Sequence, residues 1–101
     1  MVLLEMSVVP LGASESVSLD VARCLNIIDQ SGLEYEFHAM GTTIEGELAE
    51  VLTVLQQCVE EVAKENNRVT VSAKLDYRKG PGGRLKSKTA SVEQKLGRKL
   101  N

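Results

Sequence analysis

The stretch from residue 68 to 78, RVTVSAKLDYR, alternates between apolar and polar side chains without a break. Apolar residues occupy the odd positions from 69 to 77, and polar residues occupy the even positions between them. Successive side chains of a strand point to opposite faces, so this pattern predicts a strand in a sheet with one packed and one solvated face. A fold with helices on only one side of an antiparallel sheet meets that requirement.

Three strand patterns and two helical patterns precede this strand. Residues 2–9, 33–40 and 42–45 are predicted strands, with the turn before the last one at Gly41. Apolar residues recur at helical spacing from about residue 18, with Ser16 or Ser18 as the N-cap, and again from about residue 47. Right-handed crossovers then place the β-α-β-β-α-β chain in the ferredoxin-like α+β fold, a four-stranded antiparallel sheet in the order 4-1-3-2.

Charge divides the chain near residue 78. Residues 1–77 carry four Lys or Arg and thirteen Asp or Glu, a net charge of −9, whereas residues 78–101 carry eight Lys or Arg and one acid, a net charge of +7. We expect a ferredoxin-like domain over residues 1–79, and a basic loop with a short C-terminal helix over residues 80–101 that docks on the body or on a neighbouring subunit. A free arm that binds nucleic acid is the alternative use of the same charges.

The other features of the sequence are those of a small domain without a membrane span or a metal site. No apolar run approaches the roughly 20 residues of a membrane span, and the start MVLLEMSVVP contains Glu5 and lacks a basic leader, so it predicts a strand rather than a signal peptide. Cys24 and Cys58 each lie among aliphatic residues at helical spacing, which predicts two core thiols in a reducing compartment. Because His38 is the only histidine, the chain lacks the roughly four ligands of a structural zinc site, and we expect no cofactor.

The predicted open face of the sheet concentrates short polar side chains on its central strands. A solvated face is the simplest interpretation. A site for a small cationic ligand that bears amines, or a contact between subunits, are the alternatives, and the two are compatible. Strict alternation turns Thr42 inward, and a turn or bulge after Gly41 would bring it to the open face. The candidate binding residues are Glu5, Ser7, His38, Met40, Thr42, Thr43, Glu45, Ser72 and Asp76.

The same residues do not predict catalysis or RNA binding. The sequence shows no nucleophile paired with a base, and GPGG is followed by Arg84 rather than by the Lys-Ser/Thr of a phosphate loop. RNA-binding modules of this fold stack bases on aromatic residues of the central strands. Here the corresponding positions hold Glu5, Ser7, Thr43 and Glu45, and their carboxylates would repel phosphate. We therefore expect a non-catalytic binding protein. The alternatives are a structural or regulatory oligomeric subunit and a nucleic-acid-binding module that uses the basic C-terminal tail.

Several stretches taken together resemble one known family. They are EMSVVPLG, the serine-rich start of the first helix, SGLEYEFHAMGTTIEGE, RVTVSAKLDYR and KTASVEQKL. Over about residues 3 to 97, the chain resembles the small thiamine-binding proteins. The most specific piece is Gly-Thr-x-Ile-Glu-Gly at residues 41–46, followed by Asp-x-Arg at residues 76–78.

The resemblance implies a ferredoxin-like subunit of a homotetramer, a dimer of dimers, that binds thiamine or its hydroxymethylpyrimidine portion in the cytoplasm without turnover. The open face fits such a ligand, because carboxylates such as Glu5 or Glu45 can balance the thiazolium charge or accept a hydrogen bond from the exocyclic amine. On this interpretation Thr42, Thr43 and Glu45 line a small polar pocket that a partner subunit closes. His38 and Met40 lie at its lip, and Ser72 and Asp76 face either the pocket or the interface.

Overall fold

The computed structural model describes residues 1–12 and 17–100. Seven elements follow one another: β1 (Val2–Pro10), α1 (Val17–Gln30), β2 (Glu34–His38), β3 (Gly41–Gly46), α2 (Leu48–Ala63), β4 (Val69–Tyr77) and α3 (Arg84–Leu96). The predicted β-α-β-β-α-β order with a C-terminal helix is therefore confirmed. Over the described ranges, none of the helices combines the length and the apolar character that a membrane crossing requires.

The four strands form one antiparallel sheet in the order β2-β3-β1-β4, which is the predicted order read from the other edge. The central strand β1 pairs with β4 along its whole length, as far as Pro10 opposite Val69. It pairs with β3 only as far as Met6 opposite Thr42. The hairpin of β2 and β3 is thus shorter than the β1–β4 pair, and this difference in length shapes one end of the sheet.

Helices α1 and α2 pack on one face of the sheet and enclose the core with it. Cys24 and Cys58 face each other between the two helices: the Cys24 Sγ lies 3.8 Å from the Cys58 carbonyl oxygen, and the Cys58 Sγ lies 3.7 Å from the Cys24 carbonyl oxygen. Both are buried free thiols. The largest fully buried side chains are Val2, Leu4, Ile28, Ile44, Val51, Cys58 and Val62.

The helices cover the sheet less completely than the sequence indicated. Leu48 and Leu52 belong to the apolar pattern that begins near residue 47, but they are exposed, whereas Val54 is buried. Helix α2 lies mainly over β1 and only partly over β4. Val71 and Leu75 point to the helix side as predicted, yet 38% and 39% of their surfaces remain exposed.

The turn of the β2–β3 hairpin also differs from the prediction. It lies at Ala39 and Met40, and Gly41 is the first residue of β3. Glycine is required at position 41 for another reason, because a Cβ there would lie 2.6 Å from the carbonyl oxygen of Met6. Gly41 therefore allows the hairpin to close against β1.

The helix starts show where local capping operates. Helix α2 begins with a capping box, in which the Glu47 N–H donates to the Glu50 carboxylate at 2.9 Å. Helix α1 begins at Val17, so Ser18 lies inside the helix and is not its N-cap. The other predicted cap, Ser16, lies outside the described residues.

Replacing Ile44 with Ala should lower the free energy of unfolding by about 2–5 kcal/mol, because the fully buried side chain would leave a cavity between β3 and the helices. Urea unfolding followed by circular dichroism measures this change. Leu19→Ala, at an exposed position of α1, is the control and should cost less than about 1 kcal/mol. Equal losses for the two variants would contradict the burial described above.

Candidate functional site

The open face of the sheet, on the side away from α1 and α2, presents its side chains in rows across the strands, because the antiparallel register sets residues side by side. The first row holds Glu34, Glu45, Leu3 and Asp76; the second holds Glu36, Thr43, Glu5 and Lys74; the third holds His38, Gly41, Ser7 and Ser72. Seven of the nine predicted binding residues belong to these rows. Of the other two, Met40 lies at the hairpin turn and Thr42 points to the helix side.

The first row is covered by the start of α3. The Glu45 side chain is buried, and both of its carboxylate oxygens are used: Oε1 accepts from the Gly83 N–H at 2.8 Å and Oε2 accepts from the Arg84 N–H at 3.0 Å. The first N–H groups of a helix lack partners within the helix and carry partial positive charge. Glu45 therefore acts as the cap of α3, supplied from a distant part of the chain.

Arg84 fixes the same helix start to β4 and β1. Its Nη1 lies 2.9 Å from Asp76 Oδ2, and its Nη2 donates to the carbonyl oxygens of Asp76 at 3.1 Å and Met1 at 3.3 Å. A Cβ on Gly82 would lie 3.1 Å from the Met1 side chain and 3.3 Å from the Glu45 carboxyl carbon, so a larger residue would require these side chains to shift slightly. Asp76 and Glu45 together hold the backbone and side chain at the start of α3.

The third row borders a shallow open-face depression of about 180 Å³. Glu5, Ser7, Met40, Ser72 and Lys74 line it, together with the neighbouring Met6 and Ala73. Four of the residues predicted from the sequence, Glu5, Ser7, Met40 and Ser72, therefore lie together here. The Glu5 carboxylate is exposed and lies 3.7 Å from the His38 Nε2. The other ring nitrogen of His38, Nδ1, accepts from the Met40 N–H at 3.3 Å and so links the histidine to the hairpin turn.

A second cavity, of about 240 Å³, lies on the helix side of the same end of the sheet. We call it the hairpin notch; its walls are mostly apolar and come from β1, the β2–β3 hairpin and α1. Ser7 and Met40 border both the notch and the open-face depression, so the two spaces adjoin at the hairpin turn. Thr42 is buried and lines the notch together with His38, and no bulge redirects it to the open face. The notch is lined by Met6, Ser7, Val8, Val9, Val21, Cys24, Leu25, Ile28, Phe37, His38, Ala39, Met40, Gly41 and Thr42.

Eight of the nine candidate residues form two groups. The Glu45 group, at one end of the strands, is Glu45 and Asp76; the hairpin group, towards the other end, is Glu5, Ser7, His38, Met40, Thr42 and Ser72. Leu3, in the row of Glu45 and Asp76, is four residues from Ser7 along β1, which corresponds to roughly 13 Å. Thr43 lies in the middle row, opposite Glu5. The Glu45 group holds α3, whereas the hairpin group borders the two cavities.

The sequence did not single out Arg84 or the notch. The GPGG-Arg stretch was considered only as a phosphate loop, and it instead forms the start of a helix seated on Glu45 and Asp76. The sequence signal for this contact was a basic residue at a helix start together with a carboxylate in the sheet that had no assigned partner. The notch has no local signal, because it results from the unequal lengths of the strand pairs.

Candidate metal ligands are scattered over the described residues, and the two buried thiols differ in the direction of their pKa shifts. Within residues 1–12 and 17–100, no three His, Cys, Asp or Glu side chains are close enough to hold a metal ion. A hydrogen bond with Cys24 and burial raise the pKa of the Cys58 thiol above its ordinary value. Because the thiolate is the nucleophilic form, this shift lowers the reactivity of Cys58, whereas a hydrogen bond with Cys58 lowers the pKa of the Cys24 thiol.

Comparison with known families finds a match over most of the chain. A family model described as thiamine-binding protein matches residues 4–93. Among individual proteins, the chain is similar to a UPF0045 protein of Mycobacterium tuberculosis, with 41% identity over 94% of each chain.

Solved structures show the same architecture. The chain is similar to a hypothetical protein from Methanocaldococcus jannaschii, with a TM-score of 0.81, 32% identity, and coverage of 92% of this chain and 96% of the other. It also shares its fold with a candidate thiamine biosynthesis/salvage protein from Thermotoga maritima, with a TM-score of 0.72, 22% identity and 95% coverage of each chain.

Replacing Glu45 with Gln should loosen the start of α3, because an amide offers only one oxygen to the two N–H donors of Gly83 and Arg84. We expect amide hydrogen exchange at these two residues to become at least about tenfold faster, since a hydrogen bond to a charged group contributes about 1.5–3 kcal/mol. Glu36→Gln, an exposed carboxylate of the next row, is the matched control. Unchanged exchange in Glu45→Gln would show that Asp76 and Arg84 alone hold the helix.

Proposed function

Because the chain belongs to the thiamine-binding protein family, we propose that it binds thiamine or its hydroxymethylpyrimidine portion in the cytoplasm, without turnover. We place the site on the open sheet face at the hairpin end. The observation that carries this placement is the open-face depression, where Glu5, Ser7, Met40 and Ser72 lie together. Thr43 and His38 flank Glu5 on the hairpin side.

The chemistry of the depression suits a cation that bears an amine. The Glu5 carboxylate lies on the central strand β1 and is exposed, so it can balance the thiazolium charge. The hydroxyls of Ser7 and Ser72, directly opposite each other on β1 and β4, can both donate and accept. Lys74 is opposite Glu5 and limits the net negative charge, which favours a ligand of single positive charge over a polycation.

Glu45 and Asp76 have a different role in this proposal. To contact a ligand directly, they would have to release the Gly83 and Arg84 donors that they now hold. We therefore propose that these two residues keep α3 in place, while the hairpin group contacts the ligand.

We further propose that the chain assembles as a homotetramer, a dimer of dimers, in which α3 meets a neighbouring subunit. The helix is fixed to its own sheet at its start, but none of its residues is fully buried. Val92 and Leu96 remain exposed on it, Leu100 remains exposed beyond its C-terminal end, and Val71 and Leu75 are half-exposed on β4. A second copy offers apolar cover for both surfaces, with an acidic body that complements the basic tail.

Replacing Glu5 with Gln should weaken thiamine binding by at least about tenfold, because a charge-assisted contact worth about 1.5–3 kcal/mol is lost. Isothermal titration calorimetry with thiamine measures the effect. Glu36→Gln is the matched control, since it removes a carboxylate of the same row on the edge strand β2. Equal affinities for the two variants would remove Glu5 from the site, and mass spectrometry showing protein-dependent conversion of thiamine would overturn binding without turnover.

Replacing Leu96 with Asp should lower the molar mass of the assembly, because the charge would lie on the exposed apolar stripe of α3. Multi-angle light scattering at matched concentration measures the mass. Gln94→Asp is the control, since residues two apart lie on nearly opposite sides of a helix. An unchanged mass for Leu96→Asp would exclude this stripe from the subunit contact.

A further inference from the structure

The hairpin notch exposes one edge of the central strand. Beyond Met6, no strand among the described residues pairs with β1 on the hairpin side, whereas pairing with β4 continues to Pro10. Val8 lies in this stretch and lines the notch. The directions of the Val8 N–H and C=O therefore decide which hydrogen bonds the notch can offer.

The phase of the strand hydrogen bonds shows where the Val8 backbone points. At the two ends of β1, the Leu11 N–H donates to the Arg68 carbonyl at 2.8 Å, and the Met1 carbonyl accepts from the Arg78 N–H at 3.2 Å. Odd-numbered residues thus bond towards β4, and in an antiparallel strand the even-numbered residues bond the opposite way. The Met6 carbonyl confirms this phase, because it faces Gly41 of β3.

The N–H and C=O of Val8 consequently both point into the notch, and the next even-numbered residue, Pro10, has no N–H to offer. A donor and an acceptor side by side on one strand edge match a flat ring that carries an acceptor next to a donor. The surrounding walls, which include Cys24, Leu25 and Phe37, are apolar and suit the faces of such a ring. The volume of about 240 Å³ lies below the roughly 300–1,000 Å³ of sites that enclose whole drug-sized ligands.

We propose that the notch holds the aminopyrimidine ring of the ligand, with the Val8 N–H donating to a ring nitrogen and the Val8 carbonyl accepting from the adjacent exocyclic amine. The inference rests on the proposed function and adds the recognition of the ring to it. The adjoining depression then receives the cationic part, since Ser7 and Met40 border both spaces. The pyrimidine ring is thus bound on the helix side of the sheet and the cationic part on the open face, both at the hairpin end of β1.

Titration of the full chain with thiamine and with oxythiamine tests this assignment. Oxythiamine keeps the thiazolium cation, but it has an oxygen in place of the amine and a proton on the adjacent ring nitrogen, so donor and acceptor are exchanged. We expect oxythiamine to bind at least about tenfold more weakly, because the Val8 N–H would face the ring N–H and the Val8 carbonyl would face the ring oxygen. Equal affinities would overturn the ring assignment and leave the proposed thiamine binding intact, whereas binding of neither compound would overturn both.

A proline substitution tests the donor itself. Val8→Pro removes the N–H that points into the notch and sacrifices no hydrogen bond to β4. We expect it to weaken thiamine binding at least about tenfold. Val71→Pro is the matched control: Val71 is opposite Val8, and by the same phase its N–H points to the free outer edge of β4.

A measurement on the unmodified chain covers the case in which Val8→Pro does not fold. In ¹⁵N–¹H spectra, thiamine should shift the amide resonance of Val8 more than those of Ser7 and Val9, whose N–H groups point to β4. A Val8 resonance that stays in place while thiamine binds would overturn the proposal.

Discussion

The pairing of β1 with β4 along its full length, beside the shorter pairing with β3, determines the layout of the molecule. At one end of β1 all four strands are in register, and the start of α3 rests on them. At the other end the hairpin stops early, and a notch and a depression open on either side of the sheet. One end of the sheet is thus used for structure, and the other carries the two open cavities.

The two ends also differ in how their carboxylates are satisfied. Glu45 is buried and accepts two main-chain hydrogen bonds, so its charge is compensated by the helix start. Glu5 lies two residues further along β1 from that row and remains exposed. A buried carboxylate that already has its donors has little free energy to gain from a ligand, whereas an exposed one retains its capacity to bind. Burial therefore distinguishes two carboxylates for which the sequence predicted the same role.

The fold could be predicted from the sequence because each step depended on a local pattern. Alternation over residues 68–78 and helical spacing near Cys24 and Cys58 determine the elements, and chirality then determines the strand order. The open-face positions of Glu5, Ser7 and Ser72 followed from the same alternation. The capping of α3 by Glu45 was not predicted, because α2 and β4 separate the two in the sequence, and a basic helix start and a carboxylate in the sheet do not by themselves indicate that they meet.

The place of β1 inside the sheet also has a consequence for how the chain folds. As the chain is synthesised, β1 emerges first and β4 emerges after both helices that pack against the sheet. One edge of the central strand therefore stays open until almost the whole domain is available. Contacts between such distant parts of a chain slow folding, because a long loop must close before they form. Completion of the sheet therefore waits for β4, and a chain interrupted within α2 leaves one edge of the central strand without a partner.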